Sequence, residues 1–211
     1  MTSGKASATA LLLLIGLASG ARSAGLELDA LLARLARPAP ATTAFVEVRW
    51  SGLLKQPLVS SGTLEYRGPE SLARHVVAPF REDTEIADGE VRVAREGKRE
   101  QRFALARAPE LRGLLTGFAA LLGGDHDALE REFDASVELG RDTWTIALVP
   151  RDERTRKRIE RVVIDGRGDE PRCFSVSAAD GNLSVMLLGA AGEALPSPLE
   201  PAALHERCTG G

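Results

Sequence analysis

The chain has 211 residues, of which 27 are Lys or Arg and 30 are Asp or Glu, so its formal net charge at pH 7 is −3. This acidic balance argues against a nucleic-acid partner, because such a partner calls for a concentrated basic surface. Six Phe, two Trp and one Tyr are too few to predict aromatic platforms that stack on sugars or bases. Leu, Val and Ala supply the apolar surface instead.

Residues 1–23 predict a secretory signal peptide. Lys5 precedes an apolar run from Ala10 to Ala18, and small residues follow the run. The run is shorter than the roughly 20 residues that a membrane-spanning helix needs. We expect cleavage after Ala21 or Ser23 and export to the periplasm. No cysteine lies near this junction to accept a lipid anchor, so we expect the exported protein to be soluble.

The exported part of the chain is long enough for one domain with a sizeable core. Its first periodic segment places apolar residues at helical spacing, at Leu28, Leu31, Leu32 and Leu35. The pattern ends at Pro38 and Pro40. It predicts one amphipathic helix.

From Thr42 the apolar period changes to two, which predicts a half-buried strand. One face carries Ala44, Val46, Val48 and Trp50, and the other carries Thr43, Phe45, Glu47 and Arg49. Similar segments follow at 58–67, 71–78, 82–87, 90–96 and 98–105. Asp88-Gly89, between two of these segments, predicts a tight hairpin turn. This order predicts an antiparallel meander.

A strongly apolar helix is predicted over 109–122, with Glu110 and Arg112 among its few charges. Its apolar residues are Leu111, Leu114, Leu115, Phe118, Leu121 and Leu122. They cover much of the helix circumference, which favours burial on more than one side. A filled core meets that requirement, and so does an apolar space between the helix and a curved sheet. Periodicity does not decide between the two.

A second, short helix is predicted to begin near Asp127, because Asp127 followed by Glu130 resembles a capping box. Strands then resume at 135–140, 143–149, 157–165, 172–178 and 183–189. About ten or eleven strands with three helices indicate an α+β domain. The segment 191–211, which is rich in Pro and Ala, is predicted to be an irregular tail.

The chain contains two cysteines, Cys173 and Cys208. Because both follow a predicted signal peptide, they are expected to reach an oxidising compartment, where a disulfide is the natural outcome. Two free thiols are the alternative. The spacing fits neither a zinc site nor a redox dithiol motif.

No catalytic motif accompanies these features. The sequence has no Gly-x-Ser-x-Gly elbow, His-Glu-x-x-His pair, phosphate loop or dinucleotide fingerprint. His75, His126 and His205 are scattered along the chain. The cluster 125–127 (Asp-His-Asp) could ligate a metal, but adjacent residues at a helix start point apart, which favours a capping turn. We therefore expect no enzyme activity, no metal and no cofactor.

The segment 151–161 concentrates charge. It holds Arg151, Arg154, Arg156, Lys157, Arg158 and Arg161 against Asp152, Glu153 and Glu160. We interpret it as a solvated hairpin. The alternative is a docking surface for anionic lipid head groups or for an acidic patch on a partner at the membrane.

Several short motifs recur in a characteristic order. Ala44-Phe45-Val46 follows the first helix, Gly62-Thr63-Leu64-Glu65-Tyr66 and Pro69 lie in the next strand and turn, and Asp88-Gly89 follows a later strand. With the helical insertion after the sixth strand and the late Asp180-Gly181-Asn182 hairpin, this order resembles the periplasmic lipoprotein carrier LolA and its relatives over about 25–190. The resemblance implies an unclosed antiparallel β-barrel of about eleven strands that wraps helices and holds acyl chains in an apolar cavity.

The resemblance also has a departure. In the family's lipoprotein carriers an arginine that helps to control the lid directly precedes the proline matched by Pro69, and here that position is Gly68. Arg67 is the candidate for lid control, although a shift of one residue along a strand turns a side chain to the other face. Leu72 matches the aromatic that follows in the carriers. These differences favour acyl-chain binding in general, with either a lipoprotein or another lipid as cargo.

The resemblance divides the chain into a signal peptide (1–23), a lipid-binding domain (24–190) and the tail (191–211). It implies a monomeric carrier that takes cargo from an inner-membrane donor toward an outer-membrane acceptor. The alternative is a sensor or regulatory protein that uses the same fold. The expected cavity lining is Val46, Val48, Trp50, Leu64, Tyr66, Leu72, Leu114, Leu115 and Phe118.

Overall fold

Eleven antiparallel strands form a single sheet in the structure, a computed structural model that describes residues 20–209. Side chains are described from residue 25 onward, except those of Glu110 and Leu114. Residues 1–19 of the predicted signal peptide lie outside the described part of the chain. The strands are β1 (Ala41–Trp50), β2 (Leu58–Gly68), β3 (Ser71–Ala78), β4 (Glu82–Ala87), β5 (Glu90–Arg95), β6 (Gln101–Ala104), β7 (Phe133–Leu139), β8 (Thr143–Pro150), β9 (Ile159–Arg167), β10 (Glu170–Ala178) and β11 (Leu183–Leu188).

The strand order is β6-β5-β4-β3-β2-β1-β11-β10-β9-β8-β7. Strands β6 and β7 are therefore the two edges, and the sheet does not close into a barrel. The predicted fold class, an unclosed antiparallel barrel of about eleven strands with helices, is confirmed. The predicted hairpin at Asp88-Gly89 is also present, and both residues have positive φ (51° and 72°), as a type I′ turn requires.

Within residues 20–209, five helices accompany the sheet: α1 (Gly20–Leu35), α2 (Pro109–Gly123), α3 (His126–Glu132), α4 (Glu153–Arg156) and α5 (Pro201–Thr209). Short 3₁₀ turns lie at Leu105–Arg107 and Gly189–Gly192. Among the residues described, no helix has both the length and the apolar character needed to cross a membrane.

The main core lies between one face of the sheet, which we call the inner face, and helices α1 to α3. Every third or fourth residue of α1 enters this core, as its helical spacing predicted. The sheet contributes alternate residues of its strands, among them Phe45, Leu64, Leu72, Ile86, Ile164 and Phe174. The inner face is thus the one covered by helices.

The opposite, outer face carries a second core cluster under α5. It comprises Val48, Cys173, Val185, Leu187, Ala191, Leu204 and Cys208. Here Cys173 of β10 and Cys208 of α5 are joined by a disulfide, with Cα atoms 5.5 Å apart, which confirms the predicted bond. The prediction of an irregular tail is wrong over 201–209, where Leu204 and the disulfide hold α5 against the sheet.

The start of α3 also differs from the prediction. Asp125, not Asp127, is the capping residue, and its carboxylate accepts a hydrogen bond of 2.8 Å from the Ala128 amide. The helix therefore begins at His126, and β7 follows directly at Phe133. Within the cluster 125–127, Asp125 caps this helix.

The meander places the strand connections along two rims of the sheet. One rim consists of 51–57, 79–81, 96–100, 151–158 and 179–182. It holds nine Lys or Arg against five Asp or Glu, and we call it the basic rim. The opposite rim consists of 69–70, 88–89, 140–142 and 168–169. It holds one Arg against four Asp or Glu, and we call it the acidic rim.

Replacing both Cys173 and Cys208 with Ala should lower the free energy of unfolding by about 4 kcal/mol, because the disulfide closes a loop with a sequence separation of 35 residues. Denaturant unfolding of the variant and of wild type measures this difference. Thiol labelling of unfolded, unreduced wild type provides the control, and two reactive thiols per chain would contradict the assignment.

Candidate functional site

Helix α2 lies against the middle of the inner face, and Gly117 permits its close approach. A Cβ atom at Gly117 would lie 2.8 Å from the Phe174 ring, closer than side-chain carbons normally come. A Cβ atom at Gly113 would meet Ile159 and Phe133 at 3.8 Å. Phe118, which follows Gly117, stacks on Phe174 with ring centroids 5.5 Å apart. The helix is therefore seated on the sheet through an aromatic contact.

This contact leaves space at both ends of the inner face. One cavity, of about 670 Å³, lies toward the acidic rim and is called the acidic-rim cavity. The other, of about 720 Å³, lies toward the basic rim and is called the basic-rim cavity. Both volumes fall in the range of small-molecule sites. The sheet and α2 thus enclose a filled centre with a cavity on either side.

The acidic-rim cavity contains three of the predicted lining residues, Leu64, Tyr66 and Phe118. All three are nearly completely buried in the main core. Leu122 and Leu188 add apolar surface. The remaining wall combines small nonpolar residues (Ala41, Pro171, Gly189, Ala190 and Ala191) with polar ones (Arg37, Thr42, Thr43, Arg167, Asp169, Glu170 and Arg172).

The basic-rim cavity has a different lining. Four large apolar side chains of its inner-face wall are only half-buried: Val93, Phe103, Leu111 and Val176. Phe174 and Met186, both buried, complete the apolar wall. Lys157 and Arg158 line the cavity where it meets the basic rim. This cavity therefore offers apolar surface that a guest molecule can still cover.

A polar network forms another wall of the basic-rim cavity, centred on Glu47 of β1. Glu47 is 6% exposed and forms an ion pair with Arg74. Arg49 donates to Glu47 Oε1 at 3.0 Å, Ser184 donates to the same oxygen at 2.5 Å, and Ser60 donates to Oε2 at 3.3 Å. Both carboxylate oxygens are therefore satisfied.

Arg74 extends the network toward β4. Its guanidinium lies 3.7 Å from Glu82, which also pairs with Arg95, and 4.8 Å from the centre of the Phe45 ring. Burial by itself raises the pKa of Glu47. Attraction to Arg74 and Arg49, with the hydrogen bond from Ser184, outweighs burial and holds the pKa below its usual value. The network is therefore ionised at neutral pH.

Sequence reasoning missed this network. Its members come from β1 to β4, which follow one another in the chain, and from β11, which is distant in sequence. The alternation in β1 gives Glu47 a face but no partner. One feature of the sequence could have indicated it. Arg74 lies between Leu72 and Val76 at alternate positions of β3, so a charged side chain is expected on the inward face of this strand.

The prediction for β1 is wrong with respect to the face that meets the helix. Val48 is completely buried in the outer cluster beneath α5, and Trp50 packs against that same cluster. Val46 shares their face, where its side chain meets Gly192. Alternation correctly placed Val46, Val48 and Trp50 on one face of β1, but that face is the outer one. The face that meets the helices carries Phe45 and Glu47.

Three other predicted lining residues have different positions. Leu72 and Leu115 are buried in the main core and line neither cavity. The side chain of Leu114 lies outside the described residues.

Arg67, the candidate for lid control, lies on the outer face of β2. Its guanidinium forms ion pairs with Glu65 at 2.7 Å and with Glu85 at 3.3 Å. The hydrogen bond from Arg67 lowers the pKa of Glu65. Because Leu64 and Tyr66 point inward on the same strand, Arg67 points away from α2. Arg67 is therefore on the face that a shift of one residue along the strand gives it, and lid control by Arg67 stays a prediction.

The histidines do not form a common site in the described part of the chain. His75 pairs with Asp83 at 2.6 Å, and His126 links α3 to Asp29 of α1. His205 lines a separate outer cavity of about 500 Å³ beneath α5, which also contains Asp165. Burial raises the pKa of Asp165, whose carboxylate accepts a hydrogen bond of 2.7 Å from Thr145. No group of three metal-ligating side chains occurs among residues 25–209 as described.

The unclosed sheet, the helix on its inner face and the flanking cavities define the class of LolA-like folds. The family described as "Outer membrane lipoprotein carrier protein LolA-like" matches residues 19–211, and the chain belongs to this family. The search of curated proteins gives no match.

Several solved structures are similar to this chain. A LolA superfamily protein, NE2245 from Nitrosomonas europaea, has 9% sequence identity and a TM-score of 0.46, with 79% of this chain and 91% of that chain covered. LprF from Mycobacterium bovis has 11% identity and a TM-score of 0.38, with coverage of 82% and 96%. A DUF1329 family protein from Desulfovibrio piger has 10% identity and a TM-score of 0.35, with coverage of 86% and 98%.

The Glu47 network generates a prediction about pH. Because its folded-state pKa is depressed, the carboxylate contributes stability that is present above its unfolded pKa of about 4.3 and is lost as pH falls through the folded-state value. Glu47→Gln should therefore lower the free energy of unfolding at pH 7 by about 3 kcal/mol, since it leaves Arg74 without its closest partner.

Denaturant titrations across the acid range should show this difference shrinking as pH falls. Glu65→Gln is the matched control, because Glu65 is also a strand carboxylate paired with an arginine but is half-buried, with 29% of its side-chain surface accessible. If the difference in free energy of unfolding between wild type and Glu47→Gln does not change with pH, Glu47 is not ionised in the folded protein and the prediction is wrong.

Proposed function

We propose that the protein is a periplasmic carrier that binds the acyl chains of a lipoprotein or another lipid on the inner face of its sheet and moves this cargo toward the outer membrane. The observation that carries the proposal is the basic-rim cavity, with its half-buried apolar wall beside α2. Family membership agrees with this activity, because the family is named for outer membrane lipoprotein carriers.

The basic-rim cavity suits an acyl chain better than the acidic-rim cavity does. Side chains that are already buried contribute little binding free energy, because a guest covers no further apolar surface on them. Half-buried side chains contribute more, because the guest removes their exposed apolar surface from water. Val93, Phe103 and Val176 belong to the second kind. Each methylene of a guest that leaves water is worth about 0.8 kcal/mol, so part of one acyl chain supplies useful affinity.

The polar network is compatible with such a guest because its buried charges are paired. An acyl chain offers no hydrogen bond, and an unpaired buried charge beside it would carry a large penalty. Glu47 and Arg74 satisfy one another, and Ser60 and Ser184 complete the set. The network can therefore border an apolar guest without losing a partner.

Export to the periplasm rests on the predicted signal peptide and agrees with the disulfide between Cys173 and Cys208, because disulfides persist in oxidising compartments. A soluble carrier in that compartment shields acyl chains from water between two membranes. We propose an inner-membrane donor and an outer-membrane acceptor as its partners.

Filling the basic-rim cavity should prevent binding. Val176→Trp places a large side chain in it from β10 and should weaken binding of a fluorescent fatty acid at least about tenfold, the loss of two methylenes of burial. The control is Val163→Trp, a half-buried valine on the adjacent strand that faces the outer cavity. It should change affinity less than about twofold. Thermal melts verify that both variants fold.

Leu122→Trp, which fills the acidic-rim cavity, decides between the two cavities. If this variant loses binding while Val176→Trp retains it, the acyl chain occupies the acidic-rim cavity with Leu64, Tyr66 and Phe118, and our assignment of the cavity is wrong. If wild type binds neither fatty acids nor a lipopeptide, the carrier proposal fails.

A further inference from the structure

We propose that the basic rim is a docking surface for an anionic lipid bilayer, with the tip of the β1–β2 hairpin entering the lipid surface. The basic-rim cavity would then face the membrane. Docking itself does not require that the cavity bind acyl chains, although its use in cargo exchange rests on the proposed function.

Exposed apolar side chains lie at the tips of this rim. Leu53 is 95% exposed and Leu54 is 43% exposed, next to each other in the loop 51–57. Phe80, in the neighbouring loop 79–81, is 36% exposed. Two adjacent leucines at a hairpin tip contribute nothing to the core, but they would gain from burial among acyl chains or glycerol groups.

Lys and Arg side chains surround these apolar tips, and most of these side chains form no ion pair in the part of the chain that the structure describes. Seven make neither a hydrogen bond nor an ion pair through their side chains within the described residues: Lys55, Arg81, Lys98, Arg99, Arg154, Arg156 and Lys157. The segment 151–158 exposes all of its charged residues. Asp152 accepts hydrogen bonds from Thr155 as the capping residue of α4, and across residues 25–209 as described it holds none of the neighbouring cations in an ion pair.

The loops of the basic rim form one continuous surface. The Ala179 amide donates to the Arg158 carbonyl at 3.0 Å, and the Glu96 amide donates to the Arg81 carbonyl at 3.2 Å. Gly181 shares a shallow depression with the loop 51–57. Lys157 and Arg158 line the basic-rim cavity together with Gln101 and Phe103 from the other side of the sheet. A single planar partner can therefore contact most of these loops.

The charge pattern identifies a negatively charged lipid surface as that partner. The whole chain has a net charge of −3, yet the basic rim has an excess of four cations and the acidic rim an excess of three anions. Such a molecule orients its basic rim toward an anionic membrane. Unpaired cations spread around exposed leucines match head groups above an apolar layer, whereas an acidic protein would leave Leu53 in water.

Sedimentation with phosphatidylcholine vesicles, with and without phosphatidylglycerol, tests this proposal. Wild type should bind the anionic vesicles, bind neutral vesicles at least tenfold more weakly, and lose binding as salt rises. The double variants Arg154→Glu with Arg156→Glu, and Leu53→Ser with Leu54→Ser, should each weaken binding to anionic vesicles about tenfold or more. None of these four residues lines the basic-rim cavity.

The matched control lies on and beside the acidic rim, where Leu139 is 52% exposed and Arg141 is exposed. Leu139→Ser with Arg141→Glu should leave vesicle binding within about twofold of wild type. The proposal is overturned if wild type does not sediment with anionic vesicles, if it binds neutral vesicles equally well, or if the control loses as much binding as the rim variants.

Fatty-acid binding by the same variants separates this proposal from the carrier function. Rim variants that lose vesicle binding but keep fatty-acid affinity support docking as a distinct property. Rim variants that lose both because they no longer fold are recognised by thermal melts, and the leucine variant, which removes no core contact, then decides the outcome.

Discussion

The contact between α2 and the sheet, made through Gly117, Phe118 and Phe174, determines how the rest of the inner face is used. A sheet with two free edges cannot bury its inner face by closing on itself, so helices must cover it. Gly117 allows α2 to reach the sheet at its centre, where the two aromatic rings stack. The covered centre stabilises the fold, and the uncovered ends remain as cavities.

The placement of charge follows from the same arrangement. The ring of Phe45 lies under the Arg74 guanidinium, so the polar network begins where the apolar centre ends. A buried carboxylate and guanidinium add little net stability relative to well-packed apolar residues, but each strongly disfavours arrangements that separate the pair. We infer that Glu47 and Arg74 fix the register of β1, β2, β3 and β11 around a cavity that apolar packing alone would tend to fill.

The strand boundaries could be predicted because turn residues mark them. Asp88-Gly89 adopts the backbone that its sequence favours, and the predicted limits of β2, β3, β4, β8 and β10 lie within two residues of the observed ones. The pairing of Cys173 with Cys208 was also predictable, since the chain has no third cysteine.

Other features depend on contacts that no local pattern encodes. Alternation in β1 shows which residues share a face but not which face meets α2. Both faces carry packed residues, because on the outer face Val46 meets the 3₁₀ turn at Gly189–Gly192 and Val48 joins the outer cluster. The helix α5 is short and weakly periodic, so its formation depends on Leu204 and the disulfide. The Glu47 network joins residues from five strands, and only the assembled sheet brings them together.

Native mass spectrometry of the protein, purified from the compartment in which it works, tests the central claim most directly. If the inner face carries acyl chains, the spectrum should contain, beside the bare chain, a species heavier by the mass of a lipid or lipopeptide, and Val176→Trp should lack it. Protein that is ligand-free both as purified and after incubation with lipid extracts of both membranes would contradict the account.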